Sequence, residues 1–401
     1  MKNTCVDHAP PDSQEFALSR IPLPAFHKPP QPEALVHFAP LLLKWFDSHQ
    51  RNLPWRESRD PYRIWISEVM LQQTVAATVV PFFERFTKRF PNVRSLAEAD
   101  LDEVLHLWQG LGYYRRARML HQAARQLVAQ GFENLPDDPK VVGEMPGLGR
   151  YTTNAILSQA FERRVPILEA NTFRLLARVF GLLDDPRAKN SQSWLWEAAE
   201  AILPGDRPGD FNQALMELGS QVCSGGSPSC LICPIHSMCA ANLAGLQSTI
   251  PNTKPKAAPT VVREVCVALE NEAGEWLVLR RGSEGRWARM WEFPRVEILE
   301  GESSATAAIR AARDLANLRI ETAQKRTEIN HAVTRFKVTL ELWSAKTKEN
   351  NPRTDPALHS EFVWIKPGNF SSLAAATPQR KLMAWVYANI RRDGSENTNP
   401  P

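Results

Sequence analysis

Residues 140–160 read KVVGEMPGLGRYTTNAILSQA, and the break within them, Pro146–Gly147–Leu148–Gly149, decides the fold. The stretch reads as a helix, a four-residue interruption and a second helix. Proline stops the first helix, and the two glycines permit backbone conformations and close approach that a side chain would block. The second helix then starts at Arg150 with N–H groups that have no partner inside it, a ready anion site for a DNA phosphate. A contact of that kind positions DNA without reading its sequence. A plain helix–helix turn has the same appearance, because Pro-Gly is common in turns.

Further along, VCSGGSPSCLICPIHSMC (222–239) sets Cys223, Cys230, Cys233 and Cys239 in the spacing C-x6-C-x2-C-x5-C. Four thiols in one turn-rich loop call for a metal centre or a pair of disulfides. Cys5 and Cys266 stand far away and no apolar signal segment opens the chain, so an oxidised secreted scaffold is not expected. A [4Fe–4S] cluster and a structural zinc both take four thiolates. Zinc knuckles usually offer two C-x2-C pairs, and only one is present.

Working outward, 401 residues accommodate two domains, and a net charge of +4 permits nucleic-acid binding without requiring it. No apolar run reaches membrane-spanning length, so an intracellular monomer of the cytoplasm or nucleoid is expected. Residues 1–33 are proline-rich and read as a disordered leader. Residues 34–246 carry helical periodicity in stretches such as PYRIWISEVMLQQTVAATVVPFFERF (61–86) and LDEVLHLWQGLGYYRRARMLHQAARQLVAQG (101–131). A proline- and lysine-bearing linker spans 247–260. Residues 261–391 alternate like strands in REVCVALE, EWLVLRRG, AVTRFKVTLELWSAK and EFVWIK, with one helix in SATAAIRAARDLANL. Residues 392–401 read as a polar tail. The expected fold is a mainly α catalytic domain followed by a smaller α+β domain.

Hairpin and cysteine loop together resemble the helix-hairpin-helix glycosylase superfamily, whose hairpin is of the L-P-G-[VL]-G type. LPWRESRDPYRIWISEVMLQQTVAATVVPFFERF (53–86) and LHLWQGLGYYRRARMLHQAA (105–124) closely resemble the MutY family of adenine DNA glycosylases. The match is dense through 34–245. It implies two helical lobes with duplex DNA held between them, a [4Fe–4S] cluster on the four cysteines, and removal of adenine mispaired with 8-oxoguanine or guanine. It also implies that Pro146, Gly147, Leu148, Gly149 and Arg150 grip DNA, while Gln73 and Tyr113 wedge into the base stack that extrusion opens. Tyr114 reads as a core aromatic, and the arginines at 115, 116 and 118 as a solvated face.

Adenine is a poor leaving group unless its N7 is protonated, so the site needs a carboxylic acid. Glu68, in SEVMLQQT, occupies the family's general-acid position, and its apolar neighbours Ile66, Val69 and Met70 would hold it protonated by desolvation. The second requirement is a carboxylate that stabilises the cationic sugar. The family has Asp in a segment resembling P-[IV]-L-D-G-N-V; this chain has PILEANTFRLLAR, which puts Glu169 there and Ala170 where glycine is usual. The extra methylene, roughly 1.5 Å long, opens two readings, since a misplacement of about 1 Å can cost 10²-fold in rate. Either the site accommodates it, or the chain is a lesion-binding protein with impaired cutting. Asn171 is implied to bond the sugar, the water or Glu169; it could also cap the following helix, and the two roles can coexist. Tyr151 takes the place of the lysine nucleophile of the endonuclease III branch, so no strand cleavage is expected; an endonuclease III-like pyrimidine glycosylase is the remaining alternative.

Residues 261–391 resemble, more weakly, the Nudix-like lesion-recognition domain of the same family. The helix ATAAIRAARDLANL lacks the glutamates with which a Nudix hydrolase holds magnesium. Val333, Thr334 and Arg335 stand where the family's F-S-H loop meets the lesion. V-T-R is equally ordinary strand sequence.

Overall fold

The computed structural model describes residues 36–253 and 258–393. The leader 1–33 and residues 394–401 of the tail lie outside the described residues. In chain order the elements are α1 (Phe38–His49), α2 (Pro61–Leu71), α3 (Ala76–Arg89), α4 (Val93–Ala97), α5 (Leu101–Trp108), α6 (Arg115–Ala129), α7 (Pro139–Gly143), α8 (Arg150–Phe161), α9 (Ala170–Val179), α10 (Lys189–Ala201), α11 (Pro208–Gln221) and α12 (Ala240–Leu243). The α+β part follows with β1 (Thr260–Glu270), β2 (Trp276–Arg281), β3 (Trp291–Glu292), β4 (Arg295–Glu297), α13 (Ser304–Ala316), β5 (Gln324–Val333), β6 (Phe336–Lys346), β7 (His359–Ile365) and α14 (Thr377–Asp393). Helix α14 was not foreseen, and it runs two residues into the stretch read as tail.

The chain forms two compact units whose segments alternate in sequence. Among the described residues, one holds 36–45, Leu168–Ile202 and Leu215–Thr253; the other holds Phe46–Ile167, Leu203–Ala214 and 258–393. Ile250, inside the stretch read as linker, is buried with Ala177 and Ala241 in the first unit.

In the second unit, the apolar stretch 61–86 is divided at Gln72–Val75. Asp60 caps α2 by accepting from the Tyr62 N–H at 3.0 Å, and Pro61 fills the first turn. The helix is buried nearly all round, from Ile64 to Met70. It ends where Gln73 turns left-handed, with φ +58°. Arg116 on α6 closes that end, its Nη1 donating to the carbonyls of Val69, Met70 and Gln72 at 2.9, 2.7 and 2.5 Å. It is therefore no solvated arginine: it completes carbonyls that the helix terminus leaves open.

The sheet order is β3–β2–β1–β6–β5, with β4 on β1 and β7 on β2. Among the described strand pairs, β1 and β6 run parallel, from Thr260 opposite Phe336 to Glu270 opposite Lys346, and the others antiparallel. Alternation along β1 sends Val265, Val267 and Leu269 to the face covered by α13, and Cys266 and Ala268 to the face covered by α14. The sheet joins the helices of the same unit through Met290, Ala374 and Ala376, which enter the helical core. Arg118 adds a bond to the Ala288 carbonyl at 2.9 Å, Gln109 one to Ala375 at 3.0 Å, and Arg280 pairs with Asp102.

Candidate active site

Glu68 lies on α2 with 3% of its surface exposed. Two residues of α8 hold its carboxylate: the Tyr151 hydroxyl donates to Oε2 at 2.8 Å and the Gln159 amide to Oε1 at 2.9 Å. Eight residues apart, they share one helix face. One turn beyond Glu68, Gln72 donates to the Thr152 hydroxyl at 3.2 Å, tying α2 to the same helix. The buried Gln159 was missed in the sequence; its only signal is an amide at the end of the apolar run NAILSQA.

In the other unit, Glu169 is the N-cap of α9. Its Oε1 accepts from the Thr172 N–H at 3.0 Å, and its own N–H donates to Thr172 Oγ1 at 2.7 Å. Oε2 accepts from Asn171 Nδ2 at 3.3 Å. The longer side chain thus folds back on its own helix. Asn171 is not the cap; it sits in the first turn and bridges Glu169 to Arg174, whose Nη2 donates to the Asn171 side-chain Oδ1 at 3.0 Å. Burial pushes the Glu169 carboxyl up, while hydrogen bonds from Asn171 and Thr172 and the charge of Arg174 oppose it. Gly219 on α11 allows the approach, since a Cβ there would come within 3.0 Å of the Asn171 Cβ.

Arg174 also reaches the cysteine loop, donating to the Cys223 carbonyl at 2.8 Å. Cys223, Cys230, Cys233 and Cys239 are free thiols around one small cavity, with short 3-10 turns at Cys230–Ile232 and His236–Met238. The buried guanidinium of Arg178 donates to Cys223 Sγ at 3.2 Å, placing a positive charge beside the sulfurs. Burial, reinforced by the other three cysteines, pushes Cys233 up to about 12. Among the described residues no three Cys, His, Asp or Glu are gathered for a single metal ion. Four thiols lining one cavity beside a cation are a donor set that fits a four-thiolate centre, [4Fe–4S] or zinc.

The hairpin is α7–turn–α8. Gly147 has φ +85°, and a Cβ there would press on Met119 at 3.1 Å. Gly149 differs: it is the extended N-cap of α8, with open space where a Cβ would stand. Leu148 is buried in the helical core, where its side chain anchors the turn. Arg150 is exposed.

A cavity of about 720 Å³ in the second unit gathers Gln73, Tyr113, Pro146, Gly147, Val333 and Thr334. Thr334 and Arg335 are not strand residues; they form the two-residue loop between β5 and β6, Thr334 with φ +50°. Arg335 does not line the cavity and lies over the Phe336 ring instead, 5.2 Å from its centroid. Tyr113 is half exposed, whereas Tyr114 is buried as expected. Of the eight non-glycine residues with left-handed φ among the described residues, Gln73, Tyr113, Trp287 and Thr334 line this one cavity. Left-handed non-glycine backbone, which costs energy to hold, is thus concentrated at this cavity.

A family model described as the HhH-GPD superfamily base excision DNA repair protein matches residues 66–201, and a NUDIX domain model matches 265–385. The adenine DNA glycosylase of Rattus norvegicus is 31% identical, over 96% of this chain and 84% of its own length. That of Mus musculus is 32% identical, over 90% and 80%. That of Buchnera aphidicola from Schizaphis graminum is 34% identical, over 65% and 75%.

Proposed function

We propose that this chain, which belongs to the adenine DNA glycosylase family, hydrolyses the N-glycosidic bond of adenine mispaired with 8-oxoguanine or guanine in duplex DNA. The observation that carries the reading is the buried Glu68 carboxyl held at both oxygens by Tyr151 and Gln159. A carboxyl fixed in that way is oriented to pass a proton to the departing base. Glu169, with Asn171 beside it, is the carboxylate for the cationic sugar. Tyr151 offers no amine to attack the sugar, so the product is an abasic site in an uncut strand.

The hairpin turn and the first turn of α8 supply the phosphate grip, with Gly149 leaving the backbone uncovered. Gln73 and Tyr113 fill the stack, and Thr334 meets the purine opposite the adenine. Its hydroxyl proton is committed to the Val333 carbonyl at 2.8 Å, which leaves the oxygen as an acceptor. Cys223, Cys230, Cys233 and Cys239 would hold a [4Fe–4S] cluster. Its contribution when bound is to cross-link the loop.

One observation favours a second reading, a lesion-binding protein with weak excision: both oxygens of Glu169 are engaged by its own helix. Single-turnover excision on an A:8-oxoguanine duplex, developed with alkali, separates the two. The enzyme reading expects abasic product far above a Glu68→Gln control. Product no greater than that control would leave the binding reading, and nicking without alkali would support the endonuclease III-like one. Absorption near 400 nm, lost in Cys→Ser variants, is expected of the cluster; a colourless protein containing zinc would overturn it.

A further inference from the structure

His331 sits on β5 between Ile329 and Val333, which pack against the sheet core from the same strand face. Alternation calls for an apolar side chain at this position. Both ring nitrogens are nevertheless buried, and neither has a hydrogen-bond partner among the described residues. Buried polar atoms left unpaired are uncommon and need a reason.

The ring lines the 720 Å³ cavity together with Gln73, Tyr113 and Thr334. Its centroid lies 6.0 Å from that of Trp287, with the planes tilted by 41°. Trp287 has a left-handed backbone, φ +58°, and the Arg295 guanidinium covers its indole at 4.4 Å. Burial, aided by the charges of Arg295, Arg286 and Lys381, pushes the imidazole down to about 4. Near neutral pH it is uncharged, with one N–H and one bare nitrogen. Arg115, Arg118, Arg286 and Lys381 on the cavity wall can only donate. Against these donors, the bare imidazole nitrogen of His331 and the Thr334 hydroxyl oxygen supply acceptors.

The purine partners proposed above differ in one donor. Guanine presents N7 as an acceptor in its major-groove edge. 8-Oxoguanine carries a hydrogen on N7. We propose that His331 reads the purine opposite the excised adenine, its bare ring nitrogen accepting the N7–H that 8-oxoguanine has and guanine lacks. This rests on the adenine–8-oxoguanine reading of the site.

The test compares the full-length protein with His331→Phe and His331→Gln on duplexes carrying A opposite 8-oxoguanine, guanine or 7-deaza-8-oxoguanine. Binding is followed by anisotropy and excision by single-turnover kinetics. His331→Phe should weaken binding to the 8-oxoguanine duplex about tenfold, in the range of one base contact, and leave the other two unchanged. His331→Gln, which keeps an acceptor, should recover most of the loss. Equal loss on all three duplexes, loss confined to guanine, or no loss at all would overturn the assignment. Wild-type protein that binds the 8-oxoguanine duplex preferentially but releases no adenine would sink the excision reading alone, because the binding comparison still judges His331. A wild type without that preference sinks both.

Discussion

The Gln159 amide donates to Oε1 of Glu68 at 2.9 Å, two turns along α8 from the Tyr151 hydroxyl that donates to Oε2. The carboxyl is thereby held from both sides by one rigid helix. Replacing Gln159 by Leu keeps the volume and removes the donor. Excision should fall about 10- to 100-fold through lost orientation, with duplex affinity unchanged. An unaltered single-turnover rate would mean that the Gln159 amide is not needed to position Glu68.

Glu169→Asp should raise the excision rate. Aspartate is itself a preferred N-cap, so stability holds while the carboxylate moves back by one methylene. Glu169→Ala should lose most activity and about 1 kcal/mol with the cap. Because burial pushes Glu169 up, its anionic form is reached at a higher pH than for an ordinary glutamate. The rate should therefore decline on acidification at a higher pH than a normal glutamate would give, measured as the acidic limb of the pH–rate profile. Asp and Glu proteins with superimposable limbs and rates would remove residue 169 from the chemistry.

Arg116 stays charged at neutral pH although burial pushes it down to about 10. Arg116→Met leaves the carbonyls of Val69, Met70 and Gln72 unpaired, and about 3 kcal/mol of stability should go with them. Arg116→Lys should recover only part, because an ammonium lacks the planar fork. Urea unfolding decides it; a loss under 1 kcal/mol would show that water replaces the guanidinium.

Glu292 is buried among Arg281, Arg295 and His359. Burial alone would raise its carboxyl, but Arg295, His359 and Arg281 outweigh that and hold it at about 2. With the folded value below the ordinary 4.5, the stabilisation is present above that range and is lost as pH falls towards 2. It is on the order of 3 kcal/mol. Melting curves between pH 7 and 2 should show wild-type protein losing this increment while Glu292→Gln, weaker at pH 7, changes less. Parallel curves would assign the acid sensitivity to other carboxylates.

Thr334 holds φ +50° at the first loop position of the β5–β6 hairpin, where glycine is ordinarily found. Thr334→Gly should stabilise the protein by about 1 kcal/mol and at the same time reduce preference for 8-oxoguanine. A gain in melting temperature with preference intact would leave the hydroxyl without a role in recognition.

What could be read from the chain was whatever short-range pattern encodes. Helical and strand periods separated the α part from the α+β part, Pro146 and Gly147 announced the hairpin, and cysteine spacing announced a loop that gathers four thiols around one cavity. The motif around Glu68 and the motif around Glu169 were equally visible. Even the backward fold of Glu169 had a local cue, since Thr172 three residues later completes a capping box. Helix α14 was missed because its buried face rests on a few residues such as Leu382, Met383 and Val386, among many polar ones.

Gln159, Arg116 and His331 gave no such cue. Gln159 meets its partner 91 residues away, and Arg116 reaches carbonyls 44 to 47 residues away. Nothing next to a glutamine, arginine or histidine in sequence tells whether it will be solvated or buried against a distant polar group. Chain order determined which carboxyls and thiols this protein has to work with. Packing alone decided which side chains hold Glu68, which one closes its helix, and which imidazole is left unpaired in a cavity, because desolvation and hydrogen bonding act through space and not along the chain.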